Sequence, residues 1–279
     1  MTPEEINARL LYRDGLMLVV DKPAGIPVHR GPKGGNAFED YFDALRFGLP
    51  RAPALAHRLD KDTSGCLVLG RHRKALALLG KLFKQGKIAK TYWAVVEGGP
   101  ADDAGRIEIA LGKLDESRGW WMKPDPHGLP STTTWKVMGR STFFTSPWRG
   151  EVGAQSAPGG GEPQKESHPT PDRLQRSDPP PAGEGERKLT WLALEPLTGR
   201  THQLRVHCAE MGWPIVGDNI YGSAPRNSVS LGGPALHLHA REVVVPISKN
   251  KPPVTITAPL PPHMRELLSA CGWKDQPAQ

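Results

Sequence analysis

Short apolar runs, each stopped by Gly, Pro or charge, set the rhythm of this chain. Residues 16–20, LMLVV, end in Asp-Lys-Pro and predict a buried strand that closes in a turn. GCLVLG at 65–70 predicts another. KTYWAVVEG, 90–98, is rich in aromatic and β-branched residues and reads as a strand. RIEIAL (106–111) and STTTWKVM (131–138) alternate like half-buried strands. KLTWLALEP (188–196), ALHLHAREVVVP (235–246) and PVTITAP (253–259) add three more.

Helical spacing is rarer. RHRKALALLGKLFKQG, 71–86, puts Leu76, Leu79, Leu82 and Phe83 on one face and Lys and Arg on the other, with Gly86 at the C-cap. TGRTHQLRVHCAEMG, 198–212, carries Leu204, Cys208 and Met211 on one side and stops at Gly212, with the helix expected to begin near Thr201. HMRELLSACG (263–272) predicts a closing helix, and 36–47 holds a short one. Strands outnumber helices and come in consecutive runs. The expected fold class is therefore α+β, a mixed, mostly antiparallel sheet with flanking helices. There is no GxGxxG, no P-loop and no internal repeat.

Composition changes the picture at one place. Residues 146–187 are dense in Pro, Gly, Ser and charge, and cannot bury enough apolar surface to offset their ordering entropy. They read as a disordered insertion. The flanking strands, 131–138 and 188–195, are natural partners, which favours a long loop within one sheet over a linker between domains. The expectation is a single domain over 1–279, interrupted at about 146–187.

The net charge is +7 and the pI near 9.4, which favours anionic partners such as nucleic acid. Cys66, Cys208 and Cys271 form no CxxC pair, and so sparse a set suggests reduced thiols in a cytoplasmic protein. No signal peptide and no run of about 20 apolar residues is present, so no membrane association is expected.

The densest chemistry lies in HRLDKDTSG, 57–65. Asp, Thr, Ser and Gly are ordinary turn residues, and a surface turn accounts for the composition. The segment nevertheless leads straight into GCLVLG, and the edge of a rigid strand is where functional groups are presented. Asp60 or Asp62, beside Arg58 and Lys61, is favoured as an ionised carboxylate able to act as nucleophile, base or ligand. Nothing local chooses between the two. Lys90 and Tyr92 put a cation beside a flat ring, suited to a phosphate and a base, though a core tyrosine is the commoner case. Arg200, His202, Arg205 and His207 crowd eight residues, and Arg200 is expected to point into a cleft from the helix N-terminus. His202 and His207 lack the HExxH spacing, and His237 with His239 forms an HxH pair; core or RNA-facing histidines are the favoured reading, with a zinc hydrolase built on the HxH pair and Asp60 as the alternative.

Five segments in this order resemble the RluA-type pseudouridine synthases. They are LVVDKPAGIPVH (18–29), HRLDKDTSG, KTYWAVVEG, LTGRTHQLRVHCAEMGWPIVGDNIYG (197–222) and ALHLHA (235–240). The resemblance covers most of 12–260 apart from the insertion, which departs from the family pattern. It leaves no room for the amino-terminal S4 domain of many relatives. It implies a pseudouridine synthase fold with a central RNA-binding cleft, and isomerisation of uridine to pseudouridine with no cofactor or metal. It maps the catalytic carboxylate to Asp60, the active-site tyrosine to Tyr92, and the arginine pairing with that carboxylate to Arg200. Arg58 matches a residue that fills the RNA stack when the base leaves, and Leu204 one lining the uracil pocket. His57, Thr63 and Lys90 join them as substrate-binding candidates. The implied partner is structured RNA, a ribosomal or transfer RNA stem-loop, met by a monomer. A non-catalytic RNA-binding or chaperone role on the same fold is the competing reading.

Overall fold

The structure, a computed structural model, describes residues 1–31, 34–115, 121–144, 186–222, 235–248 and 250–275. The expected insertion at 146–187 lies almost wholly outside the described residues. Met1–Ser141 and Lys188–Gln279 make one compact unit.

The chain opens with a one-turn helix, α1 (Pro3–Asn7), capped reciprocally by Thr2 and Glu5. Strands β1 (Leu10–Arg13) and β2 (Met17–Lys22) follow, then a 3-10 helix, Phe38–Leu45, and strands β3 (Ala54–Leu55) and β4 (Ser64–Gly70). Helix α2 (Arg73–Lys84) starts where the His72 ring accepts the Ala75 N–H, and Gly86 takes the left-handed φ of 64° just past its end. Next come β5 (Ala89–Glu97), β6 (Ala104–Glu108), β7 (Leu111–Lys113), β8 (Met122–Pro124), β9 (Thr132–Phe144) and β10 (Glu186–Pro196). Helix α3 (Gln203–Glu210), strands β11 (Leu238–Val245) and β12 (Val254–Thr257) and helix α4 (Pro262–Ala270) complete the described elements.

The main sheet runs β1-β2-β4-β11-β5-β10-β9-β6, with β3 on β4 and β12 on β11. β4 and β11 pair in parallel, while β1–β2, β2–β4, β11–β5, β5–β10 and β6–β9 are antiparallel. The mixed, mostly antiparallel expectation holds. So does the pairing of the strands on either side of the insertion, since β9 and β10 are neighbours. RIEIAL divides between β6 and β7, because β7 leaves the main sheet to form a ribbon with β8.

The unbroken apolar runs of β2 and β4 have a direct cause: both faces are covered. Leu18, Val20, Leu67 and Leu69 pack under α1 and the 3-10 helix with Ile6, Phe38 and Phe42. The alternate residues Met17, Val19, Cys66 and Val68 pack against Leu79 and Leu82 of α2. Across the sheet, Ala94, Val96, Leu192 and Leu194 pack with Leu204 and Cys208 of α3. Tyr92 belongs to the edges of both the α1-side and the α3-side clusters, so it lies between them.

Helix α3 corrects the sequence reading. Gln203 through Cys208 are all buried, polar Gln203, Arg205 and His207 among them, so solvent meets only the end of the helix, and Met211 is exposed rather than packed. The helix begins at Gln203, two residues after Thr201, because His202 takes a left-handed backbone with φ 51°.

Candidate active site

Leu59 anchors the HRLDKDTSG turn. It is buried among Leu18, Leu67 and Phe42, a burial stabilising by about 1.5–3 kcal/mol, and its neighbours Arg58 and Asp60 are left outside the core. Beneath the turn lies Lys22, fully buried. Its ammonium donates to Pro23 O at 2.8 Å, Lys61 O at 2.9 Å and Thr63 O at 2.8 Å, one acceptor for each proton. Burial pulls the Lys22 pKa down to about 7, against the charges of Asp62, Asp60 and Asp21. Gly65 ends the turn at φ 106°, where a Cβ would run into the Ala240 backbone, so the parallel β4–β11 pairing requires glycine there.

A cleft of about 1440 Å³ opens beside this turn. His57, Arg58, Asp60, Thr63, Lys90, Tyr92, Arg200 and Leu204 all line it, so the fold gathers every residue to which the resemblance gave a catalytic or substrate-binding place. Arg58 is exposed, and Asp60 keeps 30% of its side-chain surface. Asp60 thereby separates from Asp62, which lies off this lining. Tyr92 lies deeper. Burial, then the charges of Asp60 and Cys66, push its pKa well above the usual value, so the hydroxyl stays protonated. Lys90 is half-buried and burial lowers its pKa. Thr63 Oγ1 is buried without a hydrogen-bond partner among the described residues. The His57 ring stacks on Phe83 at 4.6 Å, and its Nε2 accepts the Val68 N–H at 3.0 Å. Burial first, then Lys90, drive the His57 pKa down to about 3, so it lines the cleft as a neutral ring.

Arg200 reaches the cleft lining as expected, but it is not paired with Asp60. Its Nε donates to Pro130 O at 3.2 Å and its N–H to Gln203 Oε1 at 3.1 Å, and no ion pair joins it to Asp60 among the described residues. The late helix start explains this: residue 200 still lies in the connection running along β9. The residues that turn toward Asp60 are His202, at the helix N-cap, and Arg205, three residues on and hence on the same face. His202 Nε2 stands 3.8 Å from Asp60 Oδ2. Arg205 forms a buried bidentate pair with Asp218, both bonds 2.7 Å. Burial opposes the Arg205 charge, but the bonds and charge of Asp218, with Asp60 adding, raise its pKa above the usual value. Arg205 was visible in the sequence as one of four clustered basic groups. Nothing in the spacing marked it over Arg200.

The other histidines singled out in the sequence are structural. His207 is fully buried between Ser131 Oγ (2.8 Å) and Thr133 Oγ1 (2.9 Å). His239 bonds Ser64 Oγ at 2.9 Å and His237 bonds Ala235 O at 2.8 Å. Register pairs His239 with Trp93 and Ala240 with Tyr92, so the HxH side chains point to the sheet face opposite Tyr92 and away from the cleft. Among the described residues no three His, Cys, Asp or Glu stand as a metal-holding group.

The family model for RNA pseudouridylate synthase matches residues 16–210. The chain belongs to that family. It is 33% identical over 261 residues to an uncharacterized RNA pseudouridine synthase of Zymomonas mobilis, covering 93% of this chain and 96% of that one. Ribosomal large subunit pseudouridine synthase C of Haemophilus ducreyi is 30% identical over 270 residues, covering 95% and 69%. The solved structure of human RNA pseudouridylate synthase domain containing 4 shares the fold, with a TM-score of 0.66, 21% identity and coverage of 97% and 95%. This pseudouridine synthase is thus an isomerase acting on RNA, and the cleft lies on the pseudouridine synthase fold.

Proposed function

We propose that this enzyme isomerises specific uridines in structured ribosomal or transfer RNA, with Asp60 as the catalytic carboxylate. The observation that carries this is the placement of Asp60 in a large cleft floored by Tyr92, with Lys90, Arg58 and Arg200 on its lining. The names of the Haemophilus ducreyi relative and its Pasteurella multocida counterpart favour large-subunit ribosomal RNA.

Reaching a paired uridine requires flipping it out, at a few kcal/mol of lost stacking. Arg58, exposed at the cleft, fills the gap, and Tyr92 stacks on the extracted uracil for roughly 1–3 kcal/mol. The C1′–N1 bond breaks, the uracil turns, and C5 bonds to C1′. Asp60 either attacks C1′ to give an ester or assists loss of the 2′ proton to give a glycal. Tyr92 is held protonated, which makes it a hydrogen-bond donor to the uracil before it can accept a proton. The protein acts as a monomer in a reducing compartment, which its three free, buried cysteines suit. Among the described residues no helix is long and apolar enough to cross a membrane.

The test is a carbodiimide-dependent reverse-transcription map of pseudouridine in total RNA with and without the gene. A site lost in the deletion, restored by wild type and not by Asp60→Asn, supports the assignment. An Asp60→Asn protein that still forms pseudouridine sinks it.

A further inference from the structure

A hydrogen-bond chain runs from β8 to His202, whose far ring nitrogen faces Asp60. The Met122 N–H donates to the Tyr221 hydroxyl oxygen at 2.9 Å. The other hydrogen-bond partner of that hydroxyl among the described residues is His202 Nδ1, at 2.9 Å. A backbone amide only donates, and a tyrosine hydroxyl has a single proton. The arrangement that uses this proton as well as the amide gives it to Nδ1, which accepts. In the neutral imidazole the ring proton then sits on Nε2, the nitrogen facing Asp60 Oδ2 at 3.8 Å.

Three further observations point the same way. Burial, reinforced by Arg205 and opposed by Asp60, Asp218 and Asp62, lowers the His202 pKa and favours the neutral ring. Tyr221 is itself pushed up by burial and so keeps its proton, and it is oriented by Asp218, whose Oδ1 accepts the Tyr221 N–H at 3.0 Å. His202 also holds a left-handed φ of 51°, shared among described non-glycine residues only with Phe47. Such backbone persists where the surroundings over-determine it, and it gathers at functional sites. Arg205, meanwhile, commits Nε and Nη2 to Asp218. Its charge reaches Asp60, but the directional donor aimed at Asp60 is His202.

We propose that His202 is a positioning residue for the reaction. Its Nε2–H, set by Tyr221, holds one oxygen of Asp60 and leaves the other facing the cleft for the target nucleotide. The distance of 3.8 Å without RNA shortens to a hydrogen bond when the cleft fills, as catalytic contacts commonly do. The inference rests on Asp60 being the catalytic carboxylate.

The test has two arms on the full chain. In histidine-¹⁵N-labelled protein at pH 7, long-range NMR should show His202 protonated on Nε2. Tyr221→Phe should shift the ring toward the Nδ1–H tautomer, and Asp60→Asn should move the Nε2 resonance. A wild-type ring protonated on Nδ1 overturns the proposal whether or not any RNA is modified. In the kinetic arm, His202→Asn suits the left-handed backbone and keeps an amide near Tyr221, but cannot reach Asp60. Its kcat should fall roughly tenfold or more, with RNA Kd within about twofold of wild type. His202→Gln, whose amide reaches the Nε2 position, should recover part of that loss. A normal kcat in His202→Asn, or losses that track thermal stability in both variants, overturns the role. Absence of pseudouridine formation by wild type would instead count against the functional reading, and the tautomer measurement still decides the geometry.

Discussion

Asp218→Asn is a sharp perturbation of the site's buried support. Asp218 and Arg205 are 1% and 3% exposed and joined by two bonds of 2.7 Å. Asparagine keeps the shape, and its oxygen can still accept the Ile220 and Tyr221 N–H groups, now at 2.9 and 3.0 Å. It places an amide NH₂ against a guanidinium N–H and removes the counter-charge. Stripping one partner from a buried pair costs about 3–5 kcal/mol, against roughly 5–15 kcal/mol for a whole domain. At about 2–4 °C per kcal/mol for a domain of this size, Tm should drop by roughly 6–20 °C. Arg205→Met should also destabilise, because it leaves the carboxylate buried with backbone donors alone. The double variant removes both charges, so urea denaturation should show a coupling of about 2–4 kcal/mol. Pseudouridine formation should stay lost in the double variant, since the Arg205 charge also acts on Asp60. Additivity within about 0.5 kcal/mol, or activity restored by the double variant, refutes the reasoning. The pH dependence adds a check. Burial raises the Asp218 pKa, but the Arg205 and backbone bonds win and set it below the usual carboxylate range. The unfolded chain then takes up the proton first as pH falls, so this contribution to wild-type stability is lost in acid, and Asp218→Asn should lack that slope.

Tyr92→Phe should retain RNA binding, measured by filter retention, and lose most turnover; normal turnover would show that only the ring matters. Lys22→Met should destabilise by about 1–4 kcal/mol, because three buried carbonyls lose their donor while the desolvation of an ammonium is relieved. With the folded pKa at about 7 against 10.5, Lys22 should add a rising contribution to wild-type stability between pH 7 and 10.5, and the variant should lack that contribution in pH-dependent urea melts. Acid should loosen the fold early. Burial, the leading cause at each, holds His57 at about 3 and His237 and His239 at about 4, so stability should fall as pH drops from 6.5 toward 4, and His239→Leu should weaken that fall in calorimetric scans.

The elements legible in the sequence were those with strong local pattern. β4, β5, β10 and α2 lie within a residue or two of expectation, because an apolar run or a 3.6-residue stripe needs no distant partner to be recognised. α1, β1, β3 and β8 were missed, being short elements held by caps or by a neighbouring strand rather than by periodicity. Helix α3 was seen, and Leu204 and Cys208 share the expected cluster, but Gln203, Arg205, Val206 and His207 are buried as well and Met211 is exposed.

For the site, sequence determined the cast. Asp60, Tyr92, Arg58, Lys90, Thr63 and Leu204 were named from motif order, and each lines the cleft, because a turn tied into β4 by Leu59 and Gly65 has one place to go. Which cation serves Asp60 was beyond the sequence. Arg200 and Arg205 differ by five positions in one basic cluster, and only the left-handed turn at His202 sends one to Pro130 and keeps the other buried near Asp60. The roles of Lys22, Asp218 and Tyr221 were equally invisible. Their partners lie 39–41, 13 and 99 residues away, and contacts across such separations exist only once the sheet has closed.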